Sequence, residues 1–475
     1  MTGTGKASDE CGAAAAGATG LHLGAPVGAF LLVALAQLLL VAGAGTDIPF
    51  YDQWNVEGQW LYPRWREGQL TPLDLLAAHN EHRIFWTHLL NLGLFAANGQ
   101  WDPLVQQASG ALLHGLVAGL LAWLMGREWG AMGRWLTAAG VALAFLPLAG
   151  WHNALWGFQS QVYFVLLFAL LAIGGWDGGR TRSRLVGLAA AGAALLAMGA
   201  GALVPLAWLA GRAMQVVDRR RLKQSDVNRA LIALAVLGVA WALRVRVPEH
   251  EALEAAAWTQ VVQAAVRMLA WPHVDQPAAA LVLNLPLLIL VVGRLTGRRR
   301  PAHVENFVLQ VGIWAALVAL AAAWMRGSGP EFVAGVPSRY ADFLLLLPIA
   351  NAWAAVQLIR EAAARRRLVA SLGAAWGVFL LVGWIGLSAQ MWRGVIGPRL
   401  RDRAAPERLA REFQLTRDPA VFAGQPRLLV PHPNLASVTA VLDDPRLAGG
   451  LPPSLQPEKP AGPLSRLVRV CFGED

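Results

Sequence analysis

The sequence predicts an all-α polytopic membrane protein with about eleven transmembrane helices, and three observations predict it. The chain of 475 residues is 56% hydrophobic and only 15% charged, with a mean hydropathy of +0.44. A soluble domain carries about 25% charged residues. The apolar residues come in long blocks, and the Arg residues come in short clusters between them, where the positive-inside rule puts them. A net charge of +10 raises the question of nucleic acid. Its confinement to inter-block clusters excludes nucleic acid as a partner and leaves membrane lipids.

Residues 1–24 are Gly/Ala-rich and read as a disordered cytoplasmic tail. The run Ala25–Ala44 exceeds a signal-peptide apolar core and reads as an uncleaved anchor, with Ala42-Gly43-Ala44 leaving cleavage as the alternative. A membrane domain then spans 25–391. Its helices are expected near 26–44, 102–125, 135–149, 159–176, 185–198, 201–213, 229–243, 277–293, 304–325, 339–358 and 369–391. The fifth and sixth are short and could be one broken pair. Charge separates them, because Arg180, Arg182 and Arg184 must share a side with Arg219, Arg220 and Arg221.

In the same way Arg127, Arg134, the Arg294–Arg300 cluster and the Arg360–Arg367 cluster fall on that side, and few basic residues fall on the other. The N-terminus is therefore expected in the cytoplasm and the C-terminus outside, in a bacterial cytoplasmic membrane. Two outer segments look helical without spanning: Asp52–Arg66, with Trp54, Trp60, Leu61 and Trp65 placed for the lipid headgroup region, and Ile84–Ala97. Both lie in a first outer loop, 45–101. The tail, 392–475, is polar and Pro-rich and forms at most a small, partly ordered region on the outer side. Leu428-Leu429-Val430 is a candidate strand there and Asn434–Leu442 a short helix. Cys11 and Cys471 then lie on opposite sides, which excludes a disulfide within the chain and a cysteine metal site.

On this topology the outer face gathers acids, imidazoles and amides, and the inner face does not. Asp52 begins an interface segment, where partial shielding from water favours a general base and the helix N-terminus pulls the other way. The bland alternative is a helix N-cap. Asp47 is the second candidate. His79-Asn80-Glu81-His82-Arg83 holds two imidazoles and a carboxylate, but not at the His-Glu-x-x-His spacing of zinc sites. A phosphate or substrate contact before the helix at Ile84 is the favoured reading over a metal, against the null of a solvated capping loop. Arg339 and Tyr340 open the tenth helix, and Arg339 either snorkels to headgroups or pairs with an anion. Trp151–Gln161 interleaves aromatics with Asn153 and Gln159, as a sugar site requires. The ordinary aromatic belt explains most of the 21 Trp residues.

Tyr51-Asp52-Gln53-Trp54-Asn55-Val56-Glu57, the His79–Trp86 segment and Ser338-Arg339-Tyr340 together resemble the GT-C superfamily of integral-membrane glycosyltransferases, including the aminoarabinose and protein mannosyl transferases. The first looks like the acidic start of that family's first surface helix. The second takes the place of its His-x-Pro-Pro-Leu segment, without the prolines. Asn153–Gln161 looks like loops in uncharacterised bacterial relatives, which carries no activity. The resemblance covers roughly residues 26–210 and the Ser338–Tyr340 region. It implies a GT-C-like fold and transfer of a sugar from a polyprenyl-phosphate donor to a glycan, lipid or protein acceptor on the outer face. Asp52 is then the general base and Asp47 the less favoured acid. Arg339, with Arg83 or His82, would stabilise the departing phosphate. Single inverting displacement needs no obligatory metal, although the carboxylates could hold a divalent ion.

Two other readings compete. A lipid-linked glycan transporter or flippase would need polar residues mid-way along several helices, where this sequence is mostly Ala, Leu, Val and Gly. A non-catalytic envelope assembly protein would use the outer tail as its module and tolerate replacement of Asp52 and Arg339.

Overall fold

A computed structural model describes residues 6–473 except 147, 177, 179 and 298–302, with side chains from Leu23 onward, His303 excepted. It is all-α apart from one two-stranded hairpin, Ala78–His79 against His82–Arg83. Each of the eleven expected segments is helical. Among the described residues eight helices are long and apolar enough to cross a membrane, or nine if the bent pair Ala131–Phe145 and Leu148–Ala154 is one span. The Thr181–Leu195 and Ala279–Leu295 helices are 15 and 17 residues long. At 1.5 Å per residue they fall short of a hydrocarbon core of about 30 Å. The break at Leu196–Met198 separates the fifth and sixth segments as charge required. The first helix runs Lys6–Ala44, so its backbone extends through most of the expected 1–24 tail, whose residues 1–5 lie outside the described ones.

Small residues let these helices touch. Gly115 and Gly119 form one stripe on the Pro103–Gly126 helix, and a Cβ on either would meet the Phe30 or Pro26 carbonyl of the first helix at 2.7 and 3.0 Å. Lipid gives apolar side chains no reason to leave it, so close backbone approach of this kind supplies the packing energy. The Pro103 helix starts sharply because the Asp102 carboxylate accepts from the Leu104 amide and Pro103 needs no donor.

Contacts sort the loops to two ends. At one end Glu128 accepts from the Val304 amide, Arg360 lies over the Trp129 ring, and Asp218 pairs with Arg294. This is the Arg-rich end of the sequence pattern. The first loop, the hairpin and the tail occupy the other, called here the tail end.

The tail end departs from expectation in two respects. Gln53–Leu61 is a π-helical segment continued by Tyr62–Arg66. Its Trp54 and Leu61 are fully buried rather than at headgroup depth, because the tail covers them. Ile48, Trp54, Tyr62, Phe95 and Trp101 of the loop share one apolar core with Phe413, Phe422, Val441 and Leu455 of the tail. The Leu428–Val430 strand is instead part of a 3-10 turn, Arg427–Leu429, whereas Leu435–Leu442 is helical with Asn434 as its cap. Phe85–Asn98 is the expected surface helix and stops at Gly99, whose φ of +68° suits glycine.

Candidate functional site

Asp52 precedes the π-helical segment but makes no capping bond. Its carboxylate faces His79 instead, with Oδ2 3.3 Å from Nε2, and its side chain is one-third exposed. The hairpin explains the approach. Asn80 takes φ +51°, which turns the chain and sets His79 directly opposite His82. The His79 ring then packs edge-on against Phe158, with centroids 5.2 Å apart.

Tyr51 is also held at positive φ, +49°, a position that costs a bulky residue about 1–3 kcal/mol. Its amide donates to the Pro431 carbonyl at 2.7 Å, and its hydroxyl accepts from Arg427 Nε at 2.5 Å. Arg427 also pairs with Glu331 at 3.0 Å, and Glu331 accepts from Arg339. Glu331 is held below its ordinary range: burial opposes this, and Arg339 and then Arg427 outweigh it. One carboxylate thus bridges two guanidiniums and leaves the trio with one net positive charge.

Between Asp52 and this trio lies an aromatic patch. His152 stacks on Trp151 and on Trp156, with centroids 4.9 and 5.2 Å apart, and Trp156 continues to Phe158. Phe50 stands edge-on to both His152 and Trp156. The charges acting on His152 are those of Arg339, Glu331, Arg427 and Asp52. The nitrogens Trp151 Nε1, Trp156 Nε1 and His152 Nε2 are all buried with no hydrogen-bond partner. Buried polar atoms in native proteins are almost always paired, so these three nitrogens are unmet hydrogen-bonding positions that water or a ligand would satisfy.

The other expected residues go elsewhere. Asp47 is buried beneath the tail, accepting from the Ser454 amide at 2.8 Å and from Arg469 at 3.0 Å. Burial, then nearby Asp102, raises its pKa to about 7 despite Arg469. Glu81 binds Arg326 and His250, at 2.8 and 2.6 Å. Arg83 donates to the Leu76 carbonyl, and His82 is packed where a Cβ on Gly199 would come within 2.8 Å of Nδ1. Of the His79–Arg83 set, His79 alone meets Asp52: Asn80 Nδ2 lies 3.0 Å from the same His79 Nε2, and the hairpin turns Glu81, His82 and Arg83 to other surroundings. Asn153 donates to the Arg339 carbonyl and to Asp342. Gln159 is buried at the head of the Ser160–Trp176 helix.

His82 and His88 set an acid limit on stability. Burial lowers both from 6.5 to about 4. Each is neutral when folded and gains a proton on unfolding below 6.5. Their stabilisation is complete above 6.5 and disappears as pH falls towards 4, by roughly 3 kcal/mol each at most. The unfolding midpoint of detergent-solubilised protein should drop across this window. Replacing both histidines with glutamine should flatten the drop; an unchanged slope would show that other groups cause it.

Glu331 and Arg427 were not singled out in the sequence. The usable signal was Pro330-Glu331 standing just ahead of Ser338-Arg339-Tyr340. A cavity of about 610 Å³ opens at the Arg-rich end beside Asp218, Arg220, Arg221 and Thr296. Its described lining has neither the aromatic rings nor the orphaned donors found at the tail end. No family model, curated protein or solved structure matches this chain.

Proposed function

We propose that the chain is a GT-C-type glycosyltransferase acting at its tail end, which the positive-inside pattern puts outside the cytoplasmic membrane. The observation that carries this reading is the convergence of Asp52, Arg339 and Arg427 on an aromatic patch with three unpartnered ring nitrogens. Aromatic faces bind the apolar face of a pyranose, and ring N–H groups read its hydroxyls. The eleven helical segments, eight of them long enough to span, are compatible with a GT-C-like membrane domain.

In this mechanism the donor is a polyprenyl-phosphate sugar and the acceptor an envelope glycan, lipid or protein hydroxyl. The Asp52 carboxylate takes the hydroxyl proton as the acceptor oxygen attacks the anomeric carbon. The bond from that carbon to the phosphate oxygen breaks, and the electron pair leaves on the phosphate. Arg339 and Arg427 meet the charge that develops there. Glu331 bridges the two guanidiniums in the absence of donor, and His79 orients the Asp52 carboxylate.

The test compares envelope glycans by mass spectrometry in a deletion strain and in the same strain complemented with the wild-type gene. Loss and recovery of one defined sugar mass is the expected result. Accumulation of an intact lipid-linked glycan with no missing sugar would instead favour the transporter reading.

A further inference from the structure

We propose that Asp342 and His114 form a proton-binding site inside the helix bundle, loaded from the tail end. It does not depend on the sugar-transfer reading.

Asp342 lies in the first turn of the Ser338–Glu361 segment and His114 near the middle of the Pro103–Gly126 helix. Their side chains are 4% and 8% exposed, and His114 Nε2 faces Asp342 Oδ1 at 3.7 Å. An ionisable pair at this depth is costly to retain without a role. The donor accounting around it is one-sided. Gln37 Nε2 donates to the Tyr163 hydroxyl at 2.9 Å, so Gln37 Oε1 is the acceptor facing His114 Nδ1. With the Gln37 amide in this orientation the imidazole N–H sits on Nδ1, and a neutral ring presents a bare lone pair at Nε2. That nitrogen has no hydrogen-bond partner, and it looks at a carboxylate. Two acceptors face each other, and one proton placed on either satisfies both.

The surroundings retain that proton and give it a path. His114 stacks on Tyr163 at 4.7 Å and meets Phe145 edge-on at 4.8 Å, which closes the inward side. Towards the tail end Asp342 accepts from Asn153 at 2.7 Å, and Asn153 Oδ1 is buried and unpartnered, an acceptor at the entrance. A Cβ on Gly150 would stand 2.9 Å from Asp342 Oδ1, so glycine keeps this approach open. The groups around Asp342 are His114, Tyr163 and, on its own turn, Arg339, whose guanidinium is turned to Glu331. The His303–Arg326 helix contributes Trp314 against Phe343, an uncharged contact. Asn153 also donates to the Arg339 carbonyl, so the site is tied directly to the turn that carries Arg339.

A protonated carboxyl in an apolar setting reacts with the lipid-soluble reagent dicyclohexylcarbodiimide, and a carboxylate does not. Full-length protein in liposomes should be labelled across a pH series and the Asp342 peptide followed by mass spectrometry. The expected result is labelling of Asp342 in mild acid that falls at least about tenfold as pH rises through its titration, unaffected by Na⁺. His114→Gln should move that fall to lower pH, because an amide N–H stabilises the empty carboxylate where the bare imidazole lone pair repels it. If that variant fails to fold, the wild-type profile still decides. No labelling, labelling independent of pH, or suppression by Na⁺ at fixed pH would each overturn the proposal.

Discussion

Asp52→Asn is expected to cut sugar transfer by roughly 10² to 10⁴, the usual contribution of a positioned general base. The amide keeps the shape of the side chain and its approach to His79, and one-third exposure makes the fold insensitive to the change. It removes only the ability to take a proton. Asp47→Asn provides the contrast. Asp47 is bound by Ser454 and Arg469 under the tail, so transfer per folded molecule should stay within a few-fold of wild type while the tail loosens. The measurement is the rate of label transfer from a polyprenyl-phosphate sugar to acceptor in membranes with matched protein amounts. Wild-type rates from Asp52→Asn would remove the base assignment. A loss in Asp47→Asn equal to that in Asp52→Asn, at normal abundance and proteolytic resistance, would move the chemistry to the other carboxylate.

What the sequence made legible follows from how far each signal reaches. Helical segments depend on composition over about twenty residues, so all eleven are present as helices. Span length depends on where each helix ends, and that is set by packing and by neighbouring loops. Asp52 and Arg339 stand out in the sequence as candidates because each lies at the junction of a polar stretch and an apolar one. The chain from Arg339 through Glu331 and Arg427 to the Tyr51 hydroxyl was not legible, since Arg427 looked like one of many Arg residues in a Pro-rich tail. The tail itself was under-read for the same reason. Its apolar residues are widely spaced, and they form a core only because Trp54, Tyr62 and Trp101 supply the other half. His82 and Arg83 looked equivalent to His79 in a linear motif, and a hairpin of four paired residues was enough to separate them.

The buried acid that best illustrates this limit is Glu57, which read as one more outer carboxylate and is in fact the centre of the loop's polar core. Oε1 accepts from Asn91 at 2.6 Å, and Oε2 accepts from Trp101, Gln106, Tyr62 and Gln53 at 2.8 to 3.3 Å. Its relative exposure is 1%. Burial pushes its pKa up, and the four N–H donors of Gln106, Asn91, Gln53 and Trp101 oppose that. Glu57→Leu removes the shared acceptor of five donors; Gln53, Gln106 and Tyr62 keep a second partner, whereas Asn91 Nδ2 and Trp101 Nε1 keep none. Each buried unsatisfied donor costs about 1–3 kcal/mol, so a loss of roughly 2–6 kcal/mol is expected, enough to loosen the loop from the tail. Glu57→Gln should cost about 1 kcal/mol or less, for a reason visible at Asn91. The new amide would put N–H₂ where Oε1 was, facing the Asn91 donor. Asn91 Oδ1, however, is buried and unpartnered. A flip of the Asn91 amide therefore turns that clash into a hydrogen bond and only exchanges one unpartnered atom for another, while the Gln oxygen keeps the other four donors. Thermal unfolding and limited proteolysis of solubilised protein would separate the two variants. Equal damage from Leu and Gln would mean that the negative charge, rather than acceptor capacity, holds this core together.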